Sequence, residues 1–347
     1  ESRFCPLSGA AAPLIGVVGA DSIGLTGLEK GFDHVLQGEP GKEVDRQDKE
    51  GNIVAMLDYG PPKQPPTVQL SIDKFDQFTL YSKLRDGVLL NKADSGAAVL
   101  IKIDTGEILA MASYPSFNPN NYENATPAEM RNTAINDSYE PGSTVKPLVV
   151  LEGLERHLIR PDSVLDTSPY AVNGHLIRDV GHWPRLTVTG ILQKSSDTGA
   201  SHIALAMPAD ALVNTYQAFG LGKPTGLGLT GESVGYFPLH RQRWADIERA
   251  TFAFGYGLRV TPLQIAREYA TLGSYGIYRP LSITKVTPPV VGTQVANPVT
   301  AETVVHMMES DVLPGGSGLR ANVPGYRLAT TTGTAEKMGP TGKYDGG

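Results

Sequence analysis

The chain has 347 residues, 40 % hydrophobic and 19 % charged, which supports a buried core and excludes a coiled coil, a fibre or a disordered tract. Its formal charge of −6, without any long Lys/Arg run, leaves no footprint for a phosphate backbone, so nucleic acid is not an expected partner. Cys5 is the only cysteine, which excludes an internal disulfide and a thiolate metal site.

In chain order, the apolar stretch at 9–20 is too short, and too broken by Pro13, to span a bilayer. Residues 1–65 are rich in Gly, Pro and charge and end in Gly60-Pro61-Pro62-Lys63-Gln64-Pro65-Pro66, whose stacked prolines favour an extended linker. A domain boundary is expected there, dividing the chain into 1–65 and 66–347. A strand is expected at 68–72 and a helix at 73–90 with Asp73 as N-cap. Alternation of Val99, Ile101 and Ile103, the turn Asp104-Thr105-Gly106 and a return at 107–112 predict a hairpin. Helical periods follow at 143–156, 187–194, 198–207, 209–219, 261–272 and 301–309, then a strand at 326–336. Strands first, helices between and a strand last predict an α+β fold, an antiparallel sheet with a helical insertion. The chain opens on Glu1 rather than Met and closes on Asp345-Gly346-Gly347 without a closing element, so it is expected to be cut at both ends.

Two motif matches fail on context. Residues 226–231 fit a dinucleotide fingerprint and 231–235 a nucleophile elbow, but each needs a strand before and a helix after, and Tyr236-Phe237-Pro238 follows. The tetrad S-x-x-K occurs at Ser71, Ser143 and Ser282. A Lys amine can reach a Ser hydroxyl three residues away on a helix and not on a strand. Ser282 lies in a β-like run and Ser71 closes a strand, so both fail. Ser143 follows Pro141-Gly142 and opens a helix, where free backbone amides stabilise negative charge. Burial there would depress the Lys146 pKa and free it to act as a base.

Around that tetrad, Tyr139-Glu140-Pro141-Gly142-Ser143-Thr144-Val145-Lys146-Pro147 resembles the active-site segment of class B penicillin-binding proteins, most closely their division-specific transpeptidases. The resemblance runs on through Leu14-Ile15-Gly16-Val17, the 106–112 hairpin, Gln193-Lys194-Ser195-Ser196-Asp197 as a second motif, Phe254-Gly255-Tyr256-Gly257 with Thr261-Pro262-Leu263-Gln264, and Thr331-Thr332-Gly333-Thr334-Ala335 as a third. It implies an α/β penicillin-binding transpeptidase fold of the serine β-lactamase-like kind, with a mostly helical subdomain and the remnant of an N-terminal pedestal domain in 1–65.

It also implies roles. Ser143 is the implied nucleophile of a peptidoglycan D,D-transpeptidase, acylated by a D-Ala-D-Ala stem peptide or by a β-lactam. Lys146 is the implied base and Ser195 the proton relay, with Asp197 in the second motif. The amides of Ser143 and Thr334 form the implied oxyanion hole, and the third motif, Thr331, Thr332, Gly333 and Thr334, binds the substrate, with the Thr332 and Thr334 hydroxyls on its carboxylate. No cofactor or metal is implied. The implied setting is the periplasmic side of a bacterial inner membrane, with an N-terminal anchor, division proteins and a lipid-linked glycan polymerase as partners.

Two positions depart from the family pattern: Asp197 stands for the Asn of the second motif and Thr331 for the Lys of the third. Together they make the cleft more negative, so an altered acylation pH profile is expected. The rival readings are a serine β-lactamase, for which no E-x-x-L-N segment is found, and a catalytically weakened scaffold or sensor, raised by Thr331.

Overall fold

The computed structural model describes residues 4–338 and 344–345, with side chains through residue 336. The chain enters through short helices α1 (Ala12–Ile15), α2 (Gly27–Gly31) and α3 (Asp33–Leu36). Leu14 and Leu28 from these share one apolar cluster with Ile108 and Met111 of the later hairpin. Strands β1 (Lys42–Gln47) and β2 (Ile53–Gly60) form an antiparallel ribbon. The ribbon leaves Ile53, Val54, Met56, Leu57 and Tyr59 exposed.

Helix α4 (Lys74–Asn91) begins where its cap predicts: Asp73 Oδ1 accepts from the amides of Phe75 and Asp76 at 2.8 and 3.0 Å. Strands β3 (Gly96–Lys102) and β4 (Glu107–Tyr114) pair antiparallel from Gly96↔Tyr114 to Lys102↔Glu107, close to the predicted hairpin. Its turn requires Gly106, at φ +74°, because a Cβ there would lie 2.2 Å from the Pro280 carbonyl oxygen. Gln77 on α4 ties these layers together. Its Nε2 donates to the Ala10 and Met111 carbonyls and its Oε1 accepts from the Met111 amide, each at 2.8 Å.

The strand expected at 68–72 shrinks to one bridge, Leu70↔Thr284, with Ser71 N donating to Ile283 O. It pairs with the 282–285 run, which in turn lies along the start of β4 through Ile108 N to Ser282 O.

After α5 (Pro127–Met130) and α6 (Thr133–Asn136), a 3₁₀ turn at Gly142–Val145 leads into α7 (Lys146–Glu155). Leu148, Val149, Val150 and Leu151 are all buried, so α7 is apolar on every side and forms the axis of the main core. Short strand pairs follow, β5 (Val164–Asp166) with β8 (Arg185–Thr187) and β6 (Tyr170–Val172) with β7 (His175–Ile177). Three-residue strands are too short to leave an alternating signature.

Around α7 pack α8 (Val188–Gln193), α9 (Asp197–Leu205), α10 (Ala211–Ala218), α11 (Asp246–Phe252), α12 (Pro262–Gly273) and α13 (Pro298–Met308). All but α11 were expected. A two-residue pair joins β9 (Ile277–Tyr278) to β10 (Thr293–Gln294), and another joins β11 (Lys337–Met338) to β12 (Tyr344–Asp345).

The strand expected at 326–336 is corrected: no strand is assigned there. A strand needs a ladder of backbone hydrogen bonds to a partner, and no strand pairing involves this segment among the described residues. Its anchors are single hydrogen bonds to distant parts of the chain, Thr330 N to Met308 O and Glu336 N to the Tyr256 hydroxyl.

Candidate active site

The turn that carries Ser143 is held from three sides. Tyr139 and Val260 exchange both backbone hydrogen bonds, Gly142 N donates to Gly255 O, and Tyr269 donates its hydroxyl to Thr144 O at 2.8 Å. Glu140 Oε1 accepts from Gly257 N at 3.0 Å. Gly255 is required at φ +88°, since a Cβ would fall 2.0 Å from Gly142 O and 2.4 Å from Gly142 N.

Half-buried Ser143 sits in the 3₁₀ turn and Lys146 is the first residue of α7, so the two lie one turn apart. The amides of such a first turn have no intrahelical acceptor and face whatever anion forms there.

Lys146 is 1 % exposed. Its Nζ donates to Ser195 O at 2.6 Å, Ser195 Oγ at 3.1 Å and Asp197 Oδ1 at 2.6 Å. Three acceptors match the three protons of an ammonium. Burial pulls the Lys146 pKa below that of an ordinary lysine, while the charge and hydrogen bond of Asp197, and more weakly the charge of Asp179, work in the opposite direction. Burial prevails, which is the condition for a lysine to act as a base.

The second segment is shaped for this contact. Ser195 adopts φ +53°, a left-handed conformation unusual for serine, which turns both its carbonyl and its hydroxyl toward Lys146. Ser196 caps α9 and donates to Asp179 Oδ2 at 2.6 Å, and Thr198 donates to the same carboxylate from its amide and its hydroxyl. Asp179 therefore clamps the segment from behind. It follows β7 outside any recognisable motif, and nothing in the sequence marks it.

The third segment lies against the Ser143 turn. A Cβ on Gly333 would meet Thr144 Cγ2 at 2.6 Å and Pro141 O at 3.1 Å. One on Gly142 would meet Thr334 O at 2.6 Å and Thr334 N at 3.4 Å. The Thr334 amide is thus beside the turn. Thr331 is half-buried, and exposed Thr332 donates its hydroxyl to Ser317 Oγ at 2.9 Å.

The fold thus brings Ser143, Lys146, Ser195, Asp197, Gly333 and Thr334 to one place, with Thr331 and Thr332 on the same segment. By contrast, a cavity of about 840 Å³ lined by Phe4, Val17 and Tyr122 has none of the four polar residues 143, 146, 195 and 197 in its wall. A hydroxyl at a helix start, a buried amine and a second hydroxyl on that amine can support covalent acyl transfer.

Comparison with known proteins agrees. The penicillin-binding protein transpeptidase domain matches residues 96–346. The chain belongs to that family. The penicillin-binding protein dimerisation domain matches residues 3–70. Among curated relatives, peptidoglycan D,D-transpeptidase FtsI of Escherichia coli K12 is 54 % identical over 342 residues, covering 99 % of this chain and 58 % of the relative. The probable peptidoglycan D,D-transpeptidase PenA of Neisseria gonorrhoeae is 36 % identical over 345 residues, 99 % of this chain and 59 % of its own. The chain thus spans less than two thirds of these relatives.

The transpeptidase domain of Burkholderia pseudomallei penicillin-binding protein 3 superposes with a TM-score of 0.72 at 36 % identity, covering 80 % of each chain. A peptidoglycan glycosyltransferase from Burkholderia ambifaria gives 0.69 at 37 % identity, over 77 % of this chain and 82 % of its own. The α/β penicillin-binding fold expected from the sequence is the fold observed.

Proposed function

We propose that this chain is the catalytic part of a peptidoglycan D,D-transpeptidase that cross-links stem peptides in septal wall synthesis and is acylated by β-lactams. In this reading neutral Lys146 takes the Ser143 proton as Oγ attacks the carbonyl carbon of the penultimate D-Ala. The oxyanion is met by the amides of Ser143 and Thr334. Ser195 then passes the proton to the departing D-Ala nitrogen, leaving an ester on Ser143. An acceptor amine attacks that ester, forms the new amide and returns the proton to Ser143 through Lys146.

The observation that carries the reading is the Lys146 amine, buried one turn from Ser143 and in contact with Ser195 Oγ and Asp197. Relatives named D,D-transpeptidases support it. The pedestal-like part in 1–65, a periplasmic setting with an N-terminal membrane anchor, and a glycan polymerase among division partners belong to the same proposal. No helix among the described residues is long and apolar enough to cross a membrane.

Labelling with a fluorescent penicillin tests the chemistry. The parent chain is expected to form a covalent adduct and Ser143→Ala none, with Lys146→Ala slowed by about 10³-fold or more. A parent chain that never labels would overturn the reading. An adduct that persists for hours supports a transpeptidase over a β-lactamase.

A further inference from the structure

Among the described residues the third segment enters no strand ladder, so single contacts must hold it in register with the Ser143 turn. Two of them lead to a buried carboxylate that the mechanism above does not use. Asp311, 1 % exposed, lies on the 3₁₀ turn Glu309–Val312 after α13. Its Oδ2 accepts from Thr330 Oγ1 at 2.9 Å, and its Oδ1 accepts from Ser317 N at 2.8 Å and Ser317 Oγ at 2.7 Å. Ser317 Oγ in turn accepts from Thr332 Oγ1 at 2.9 Å. Asp311 thus holds the segment at residues 330 and 332, on the approach to Thr334.

The same turn is tied to the second segment. Gln193 Nε2 donates to Ser310 O at 2.9 Å and Lys194 Nζ to Gly315 O at 2.6 Å, so the stretch 310–318 bridges residues 193–194 and residues 330–332. The bridge is tight: a Cβ on Gly316 would stand 1.9 Å from Asp311 O, and one on Gly318 2.5 Å from Thr330 Oγ1 and 2.6 Å from Asp311 Oδ2. It is also stiff, because the three hydrogen bonds that Asp311 accepts are shielded from water, where each is stronger than at the surface. One end of the bridge leads to the Ser195 relay and the other to the Thr334 amide. A hydroxyl can re-aim by changing rotamer and a backbone amide cannot, so the aim of that amide depends on where the segment is held.

We propose that Asp311 is a positioning residue that, through Thr330 and Ser317, aims the Thr334 amide at the oxyanion, and that its turn keeps this amide in register with the Ser195 relay. The proposal rests on the reading of the Ser143 and Thr334 amides as the oxyanion hole and leaves the carboxylate-ended donor of that reading unchanged. Loss of the clamp lets the segment retreat from the Gly142 turn. A displaced amide then gives up part of a stabilisation that it offers only in the transition state.

The test uses two donors with the same acyl-D-alanyl group and the same D-lactate leaving group, an ester and the thionoester in which sulfur replaces the attacked carbonyl oxygen. Sulfur is the weaker hydrogen-bond acceptor, so the oxygen-over-sulfur ratio of kcat/KM reports how well the amides are aimed. The ratio is measured for the parent chain, Asp311→Ala, Thr330→Val and the double variant. Each single variant is expected to lower it by about threefold to thirtyfold, less than the loss of a whole oxyanion donor. In the Asp311→Ala background, Thr330→Val is expected to change it by less than about twofold. Thr330→Val keeps the bond between Asp311 and Ser317, so it decides the matter where Asp311→Ala fails to fold. A purely structural role would slow both donors alike, and a ratio that neither variant moves overturns the proposal. An equal loss on Thr330→Val with and without the Asp311 carboxylate overturns it too. If penicillin labels Ser143 but neither ester reacts, the ratio is read from acylation by a penicillin and its thionolactam. Absence of labelling with every reagent overturns the functional reading and this proposal with it.

Discussion

At the scale of single residues, the site's chemistry turns on two carboxylates in opposite situations. Asp197 is about one-third exposed and in direct contact with Lys146, so its negative charge holds on to the Lys146 proton that burial is driving off. Asp197→Asn keeps the shape and removes the charge, leaving burial unopposed, so the Lys146 pKa falls further. The fraction of neutral amine then rises at any pH below its midpoint, and the acid limb of the acylation profile moves to lower pH. Each unit of that displacement multiplies the rate on the acid limb by about ten. A pH series of fluorescent penicillin labelling checks this, and superimposable limbs would sink it.

Glu268 differs: it is 0 % exposed, both its oxygens lack a hydrogen-bond partner, and burial pushes its pKa well above the usual carboxylate range. The groups coupled to it are the buried Tyr216, which donates to Phe252 O, and Tyr269. The neighbouring Arg267 guanidinium is taken up by the carbonyls of Gly220, Lys223 and Pro224. The folded chain therefore keeps a proton that the unfolded chain releases. Stability is fully present below the unfolded pKa and falls by about 1.4 kcal/mol per pH unit above it while Glu268 stays protonated. Glu268→Gln is expected to raise Tm at neutral pH and to match the parent near pH 4, as thermal melts across pH would show.

Among elements, what was legible followed local chemistry. Asp73 announces its helix because a cap is written in two or three adjacent residues, and Thr187 and Thr261, which open two of the predicted helical periods, prove to cap theirs in the structure. The Ser143-to-Lys146 spacing was legible for the same reason, since helical reach is local. The 326–336 strand was not, because an extended segment becomes a strand only beside a partner, and partners are a tertiary matter. Asp179, Asp311 and Ser317 were missed likewise: they bond residues 15 to 19 positions away, through contacts that leave no periodicity. Gly255 stands between the two cases. It was visible as part of a segment, while its task, letting the 254–257 turn press on Gly142, appears only in three dimensions. Gly255→Ala meets immovable backbone on one side and an unfavourable φ on the other, so a loss of about 1–3 kcal/mol in stability is expected. Because the displaced turn is the one that carries Ser143, acylation should fall more than tenfold, even at temperatures where circular dichroism reports a folded chain. An Ala variant that labels at the parent rate would show that the turn is not set by this contact.

For the molecule as a whole, the question is which part of the first 65 residues the catalytic core needs. Leu14 and Leu28 are buried with Ile108 and Met111, and Gln77 bonds the Ala10 carbonyl, so 10–28 is built into the core rather than appended to it. The β1–β2 ribbon is the reverse: it is exposed along most of its length, and its base is closed by two backbone hydrogen bonds between Glu39 and Lys63. That closure means a short turn can bridge the gap without moving either end. Replacing residues 40–62 with a Gly-containing turn is therefore expected to change Tm by no more than about 2 °C and the labelling rate by no more than about twofold. Leu28→Ala, a single substitution in the retained part, should cost about 2–5 kcal/mol. Thermal melts and labelling of the two variants in parallel decide the matter, and a ribbon-less chain that unfolds while Leu28→Ala stands firm would reverse the assignment of which segment holds the fold together.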